Sequence, residues 1–276
     1  MNEIFHYEFM RNALLVGTFV ALVGGFTGFF MLQRGLTFAG HALPGIGFAG
    51  AAGAVWLGFP PLAGLVVFAL AGGGAISALG RETRERDLNI GMILVFALGL
   101  GLMFISLYSG FAERIYGILF GSILGISTAE AWEIAAGALI LVVVLTVFFR
   151  PLLFSSFDPQ AARARGVPTS FLSVLFLTIV ALVVALCVPI TGSLLVFTLL
   201  VGPAAVATRL SSNPKRAIVL AVIVGEVLVW TSMILAWISG TIPVSFFVAL
   251  LAFVAYILAR AFDALRPRRR AGRSQV

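Results

Sequence analysis

The chain has 276 residues, of which 61% are hydrophobic and only 11% charged, and its formal net charge is +7. A soluble domain carries about 25% charged residues, so this composition excludes an ordinary water-facing surface. Several continuous apolar runs reach the roughly 20 residues that a helix needs to cross a bilayer, whereas membrane barrels alternate in shorter segments. We therefore predict an all-α polytopic membrane protein.

Apolar segments follow one another along nearly the whole chain, which predicts about nine transmembrane helices in one domain over residues 1–265. The segments lie at 12–32, 38–57, 61–79, 88–108, 131–149, 171–188, 191–208, 217–238 and 243–262. An apolar stretch at 115–126 is too short to span and suits an interfacial or re-entrant piece. The basic tail at 266–276 is expected to lie disordered against anionic lipid headgroups.

The basic residues predict the orientation of the chain. All but two of the 18 Lys and Arg lie in loops after odd-numbered segments or near the C-terminus, the exceptions being Arg11 and Arg114. Because cytoplasmic loops are enriched in Lys and Arg, this asymmetry places the N-terminus outside and the C-terminus in the cytoplasm. The same distribution argues against a nucleic-acid partner, since the positive charge is spread over short loops between membrane segments.

The second segment contains a histidine within an apolar helix, and an ionisable group at membrane depth is a functional candidate. Pro44, three residues later, frees the carbonyl of Gly40. The histidine shares a helix face with small residues that let another helix approach closely. That face consists of His41, Gly45, Ala49 and Gly53. One interpretation is that His41 and the free carbonyl meet a passing cation, and the other is a histidine hydrogen-bonded between packed helices.

The loop after the fifth segment predicts a two-turn helix at the cytoplasmic face. Asp158 is a good N-cap, and Pro159 fits the first turn. Arg163 suits the negative end of the helix dipole, and Gly166 can take the left-handed cap. With Phe157 and Val167 giving it apolar ends, the segment is either a capped connector or a docking element for a cytoplasmic partner.

Two further features lie in the last third of the chain. Glu226 is an acidic residue near the middle of the eighth segment. Its uses there are cation attraction, a hydrogen bond to another helix or a protonated state, and we favour the structural hydrogen bond. Gly202 and Pro203 predict a break in the seventh segment, and broken helices often line transport sites.

The segment FDPQAARARGVP at 157–168 resembles the coupling helix of bacterial ABC permeases of the zinc/manganese/iron type. Other stretches resemble the same family in order and spacing, and together with the first helix they cover most of residues 12–245. They are GLTFAGHALPGIGFAGAAGA at 35–54, RERDLNIGMILVFALGLGLMFISL at 84–107, LFGSILGIS at 119–127 and LLVFTLLVGPAAVATRL at 194–210.

The resemblance implies the compact helical fold of the vitamin-B12 type of ABC importer, in a bacterial cytoplasmic (inner) membrane. It implies transport of a divalent transition metal, with zinc or manganese expected. The implied partners are a second permease, expected to be an identical copy, cytoplasmic ABC ATPases and an extracytoplasmic metal-binding protein. The residues that would couple to the ATPase are Phe157, Asp158, Pro159, Ala162, Arg163, Gly166 and Val167.

The family pattern usually has Asp or His at the place of His41 and another His four residues later, where this chain has Gly45. We assign His41, Gly45 and Glu226 to the substrate pathway, with His41 as the metal ligand. The departure at Gly45 leaves a permease for a metal chelate or another small ligand as an alternative.

A phosphate-cradling loop needs glycines and a Lys followed by Ser or Thr, whereas the single lysine, Lys215, stands in Pro-Lys-Arg. We therefore expect a transport subunit that is not an enzyme and binds no cofactor, while a partner uses ATP. An ion-coupled secondary transporter would call for more buried carboxylates and for inverted repeats. A membrane enzyme would call for a catalytic cluster, which the sequence does not offer.

Overall fold

The apolar segments form α-helices. The structure, a computed structural model, describes residues 7–79, 83–108, 121, 126–193 and 196–265. The helices within these residues are α1 (Glu8–Gln33), α2 (Thr37–Trp56), α3 (Pro61–Leu79), α4 (Thr83–Leu107), α5 (Thr128–Val147), α6 (Phe149–Phe157), α7 (Pro159–Ala164), α8 (Thr169–Thr191), α9 (Val196–Leu210), α10 (Pro214–Ser239) and α11 (Val244–Leu265). The predicted stretch at 115–126, apart from residues 121 and 126, and the tail at 266–276 lie outside the described residues.

Eight of the described helices are long and apolar enough to cross a membrane, and α9 is a shorter apolar helix of 15 residues. These nine coincide with the nine predicted segments. The seventh begins later than predicted, because α8 continues to Thr191 and the chain turns at Gly192, whose φ is +74°. The predicted break at Gly202 and Pro203 is wrong, since α9 runs through Pro203. A membrane helix tolerates an internal proline where neighbouring helices hold it, and α9 packs against α1, α10 and α11.

Helices α1 and α2 form the centre of the molecule. Helix α1 packs against α5, α9 and α10, and α2 packs against α3 and α4. Glycines bring the backbones close: a side chain at Gly28 would clash with the carbonyl of Leu200, and one at Gly64 would clash with the carbonyl of Gly50. Because lipid gives helices no hydrophobic reason to associate, such close backbone approach is the main source of packing energy.

The connection between α1 and α2 is a tight turn. Gly35 has a φ of +62°, and the amides of Gly35 and Leu36 bond back to the carbonyls of Leu32 and Met31, which is a Schellman ending. The guanidinium of Arg34 lies 5.1 Å from the centre of the Phe176 ring. Phe176 is seven residues into α8, or about 10 Å along that helix at 1.5 Å per residue. The guanidinium of Arg34 therefore packs about two turns into α8.

Candidate functional site

His41, in the second turn of α2, lies against the start of α9. Its imidazole is exposed and packs edge-on against Phe197 of α9, with ring centres 5.6 Å apart. Phe197 is thirteen residues before the end of α9 at Leu210, which is about 20 Å along the helix. The imidazole therefore contacts the first turn of α9, at the opposite end of that helix from Leu210.

The surroundings of His41 are mostly aromatic. Besides Phe197, the ring of Phe38 stacks at 6.5 Å from it, and within the described part of the chain the imidazole makes no hydrogen bond. Among those residues there is also no group of three or more His, Cys, Asp or Glu side chains that could hold a metal ion. One chain therefore offers a single imidazole at this place, so any cation bound there needs further ligands from elsewhere.

Unlike the exposed His41, Gly45 is packed against a neighbouring helix. A Cβ at Gly45 would lie 2.7 Å from Cδ1 of Leu94 on α4, and one at Gly53 would lie 2.9 Å from the Phe104 ring. The small-residue face predicted from the sequence therefore does bring a second helix close, and that helix is α4. A larger side chain at position 45 would have to displace Leu94, so the helix packing itself favours glycine here.

Glu226 is held by a hydrogen bond between helices. The hydroxyl of Thr18 on α1 donates to Oε1 of Glu226 on α10 across 2.6 Å, and Nε1 of Trp230 donates to the same hydroxyl across 3.1 Å. Helix α9 packs against both α2 and α10, so His41 and Glu226 lie on two different neighbours of α9. The contacts of Glu226 match the structural hydrogen bond that the sequence analysis favours.

The segment after α5 has the local geometry that its sequence predicts. The carboxylate of Asp158 accepts from the amide of Ala161 at 2.9 Å, α7 spans Pro159–Ala164, and Gly166 has a φ of +78°. The amides of Gly166 and Val167 bond to the carbonyls of Arg163 and Ala162, both at 3.0 Å, and so end α7 in a second Schellman motif.

The two sides of this short helix differ. Ala162 is fully buried, whereas Phe157 is 58% exposed, and Gln160 and Arg165 are exposed as well. Arg163 donates from Nε to the hydroxyl of Thr169 at 2.9 Å and so ties α7 to the start of α8. Ala162 therefore anchors α7 to the body of the protein, and the exposed side chains are the ones available to a partner.

Two features near this segment were not predicted from the sequence. The first is α6, a nine-residue helix in what the sequence analysis treats as loop. The second is Arg34, whose guanidinium donates to the hydroxyls of Ser155 and Ser156 at the end of α6. Pro151 in the first turn of α6 is the signal that could have indicated a helix start, because proline is tolerated there.

Comparisons with known proteins match both the sequence and the fold. Residues 6–263 match the family described as the ABC 3 transport family. The manganese import system permease protein ScaB of Streptococcus gordonii is 30% identical over 221 residues, which cover 79% of each chain. The manganese transport system membrane protein MntC of Listeria monocytogenes is 29% identical and covers 82% of this chain and 81% of its own.

A solved structure, PsaBC from Streptococcus pneumoniae in complex with Fab, has a TM-score of 0.84 to this chain at 25% identity. The match covers 94% of this chain and 93% of the other. The likeness therefore extends over all the described helices that could span a membrane, and not only over the segments whose sequences stand out.

Proposed function

Since this chain belongs to the ABC 3 transport family, we propose that it carries a divalent transition metal, manganese or zinc, through the membrane. It is the multi-pass permease subunit of a bacterial metal ABC importer, a transport component whose ATPase is a separate subunit. The ScaB and MntC relatives are named for manganese, which makes manganese the first metal to test. We place the protein in the cytoplasmic membrane, with residues 1–265 as one permease domain.

The transport path is proposed to run past His41. The observation that carries this assignment is an exposed imidazole on a helix long and apolar enough to cross a membrane, with no hydrogen-bond partner in the described residues. A polar group facing lipid hydrocarbon is costly, so the face that contains His41 must meet water or protein. A water-lined path between two permeases satisfies this requirement.

A second copy of the chain is the partner we propose for this face. Two symmetry-related imidazoles would supply two ligands where the described residues of one chain offer a single imidazole. Neutral imidazole suits manganese poorly and zinc well among divalent metals, so water molecules or carbonyls would complete the coordination of manganese. Few protein ligands also suit transport, because the ion must leave the site again.

Coupling to ATP is assigned to the segment 157–167, which we call the docking segment. Its exposed residues, among them Phe157 and Gln160, form a small rigid knob, and Ala162 fixes the knob to the protein. We assign a cytoplasmic ABC ATPase to this surface, and an extracytoplasmic metal-binding protein to the opposite side of the membrane. Movement of the docking segment would then open and close the path.

Uptake of a metal chelate is the second candidate. The observation in its favour is Gly45, which has no side-chain ligand and where a larger side chain would have to displace Leu94. A chelate brings its own metal ligands, so a path for it needs only a shape that fits the chelate and a polar contact from the protein.

Reconstitution distinguishes these functions. The chain is incorporated into proteoliposomes with its ATPase and binding protein, and accumulation of radioactive manganese or zinc is measured with and without ATP. We expect ATP-dependent accumulation of the free metal. Accumulation driven by a proton or sodium gradient without ATP would contradict the proposal, and accumulation only of a chelated metal would favour the second candidate.

A further inference from the structure

The α1–α2 elbow, residues Arg34–Leu36, is bonded to the helix that leads into the docking segment. Nη2 of Arg34 donates to the hydroxyl of Ser155 at 2.6 Å, and Nε donates to the hydroxyl of Ser156 at 3.0 Å. The two serines directly precede Phe157, the last residue of α6. One guanidinium therefore joins two parts of the chain that are 121 positions apart.

The serine hydroxyls are oriented to receive this guanidinium. Both hydroxyls donate to the carbonyl of Leu152, at 3.1 Å from Ser155 and 2.6 Å from Ser156. A serine hydroxyl has one proton to donate and two lone pairs to accept with, so each oxygen keeps lone pairs for Arg34. The Phe176 ring, 5.1 Å from the guanidinium carbon, holds the cation from another helix.

Helices α6 and α7 are joined by a single residue, Asp158, whose φ of −141° and ψ of 87° interrupt the helix. The amide of Asp158 donates to the carbonyl of Phe154 at 3.1 Å, and the amide of Ala162 donates to the carbonyl of Asp158 at 3.0 Å. Asp158 thus ends α6 and begins α7, and the two helices also pack against each other. We expect a displacement of α7 to reach Ser155 and Ser156 over this short connection.

On the other side, the elbow connects directly to the helix of the transport path. Helix α2 begins three residues after Arg34, and His41 is seven residues after Arg34. The carbonyl of Gly35 accepts a further bond of 2.8 Å from Nη2 of Arg86 on α4. The elbow is thus held by α6 on one side and by α4 on the other, and α4 packs along the face of α2 that contains Gly45 and Gly53.

We propose that Arg34 is the positioning residue that transmits movement of the docking segment to the α1–α2 elbow and so to His41. This inference rests on the proposed docking of the ATPase at α7. The contacts of Arg34 suit a connection that must move, because the guanidinium contacts two neutral hydroxyls and an aromatic ring. Within the described residues no carboxylate pairs with Arg34, so the contact can shift without separating two opposite charges.

The test replaces the cation in one variant and its acceptors in another. Arg34→Gln removes the charge, and Ser155→Ala combined with Ser156→Ala leaves Arg34 in place without its two acceptors. Each is reconstituted with the ATPase and the binding protein, and manganese accumulated per ATP hydrolysed is measured. Because hydrogen bonds to a charged group are among the stronger ones, we expect this ratio to fall about tenfold or more in both variants.

Arg209 provides a matched control. It also contacts an aromatic ring and a hydroxyl, since its guanidinium lies 5.0 Å from the Tyr256 ring centre and donates to the Tyr256 hydroxyl at 3.0 Å. Its contacts, which unlike those of Arg34 include an ion pair of 3.7 Å with Asp263, join α9 to α11. Arg209→Gln should therefore leave the ratio of manganese to ATP within about twofold of the original protein.

The outcomes separate this inference from the proposed docking. Variants at Arg34 should keep the ATPase bound, whereas changes on the exposed surface of α7 should release it. An unchanged ratio in assembled Arg34→Gln and in the double serine variant would overturn the transmission role. So would an equal loss in Arg209→Gln. If Arg34→Gln does not assemble, the double serine variant alone decides, because it keeps the buried cation and removes only two hydroxyls.

Discussion

The hydroxyl of Thr18 and the carboxyl of Glu226 are 2.6 Å apart and join α1 to α10 within the membrane region. The hydroxyl donates to the carboxyl and accepts from Nε1 of Trp230, so three side chains form one chain of hydrogen bonds. A polar side chain in lipid that finds such partners lowers the free energy of the folded helix pair rather than raising it. Hydrogen bonds between membrane helices contribute about 0.6 kcal/mol on average and up to about 1.7 kcal/mol.

Removal of either partner should loosen this helix pair. We expect Glu226→Ala and Thr18→Val each to lower the free energy of unfolding by about 1 kcal/mol. Unfolding of the detergent-solubilised protein measures the change. Glu226→Gln is the matched control, because its amide oxygen still accepts from Thr18. Metal uptake per assembled protein should remain normal in all three variants, and its selective loss in Glu226→Gln would instead place the carboxylate in the transport path.

Close packing of α2 and α3 gives a second stability prediction. A Cβ at Gly64 would lie 2.6 Å from Cβ of Ala54 and would also clash with the Gly50 carbonyl, whereas one at Gly74 on the same helix meets nothing within 4 Å. Gly64→Ala should therefore lower the free energy of unfolding by about 1–3 kcal/mol, the usual cost of overpacking. Gly74→Ala should be neutral or slightly stabilising, because alanine favours a helix more than glycine does. Similar unfolding curves for the two variants would contradict the backbone contact.

The helices and the docking segment were predictable from the sequence because their signals are local. Asp158, Pro159 and Gly166 act on backbone groups within a few residues, and each takes the place its chemistry favours. The apolar runs likewise predict nine helices. The break predicted at Pro203 does not occur. Proline is only a local signal of a break, and the packing of three neighbouring helices around α9 outweighs it.

The contacts of the candidate site could not be predicted in the same way. Thr18 and Glu226 are 208 positions apart, and nothing in either segment identifies the other as its partner. From the sequence alone, Arg34 is one of many arginines predicted to be cytoplasmic. Its contact with α6 follows only from the fold. The contact between His41 and Phe197 also depends on the fold, because the two residues lie on helices far apart in the sequence.

The orientation of the chain remains a prediction from the distribution of arginine and lysine. The loop at Gly58 between α2 and α3 should lie outside, and the loop at Ser212 between α9 and α10 should lie in the cytoplasm. Alkaline phosphatase inserted at Gly58 should be active, and the same reporter at Ser212 or after Val276 should be inactive. A green fluorescent protein at these positions should give the opposite pattern. Active phosphatase at Ser212 would refute the assigned orientation.

Docking of the ATPase can be tested with two positions on the same short helix. Gln160 is exposed, whereas Ala162 is fully buried. In a Cys187→Ala background, Gln160→Cys should cross-link to the ATPase, and Ala162→Cys should not, since its side chain faces the protein. Cross-linking before and after addition of ATP would show whether the contact moves. Equal cross-linking at both positions, or none at Gln160, would remove the docking assignment.

Metal transport should depend on His41. We expect His41→Ala and His41→Gln to reduce manganese and zinc uptake about tenfold or more while the ATPase stays bound, because the imidazole is the one metal ligand that this face of the chain offers. Phe38→Leu is the neighbouring control, since Phe38 stacks 6.5 Å from the imidazole and has no metal-binding atom. Uptake of radioactive metal into proteoliposomes is measured, with the amount of assembled complex determined in each sample.

The position of Gly45 allows the converse experiment on the same path. Gly45→His would place a second imidazole one turn after His41, and Leu94→Ala would remove the side chain whose Cδ1 lies 2.7 Å from a Cβ at this position. Two imidazoles bind a transition metal more tightly than one, so the double variant should retain zinc and release it slowly. We expect zinc bound per permease to rise and zinc uptake to fall, whereas Leu94→Ala alone should change neither. Normal uptake in both His41 variants, or no added zinc binding in Gly45→His with Leu94→Ala, would show that the metal passes elsewhere.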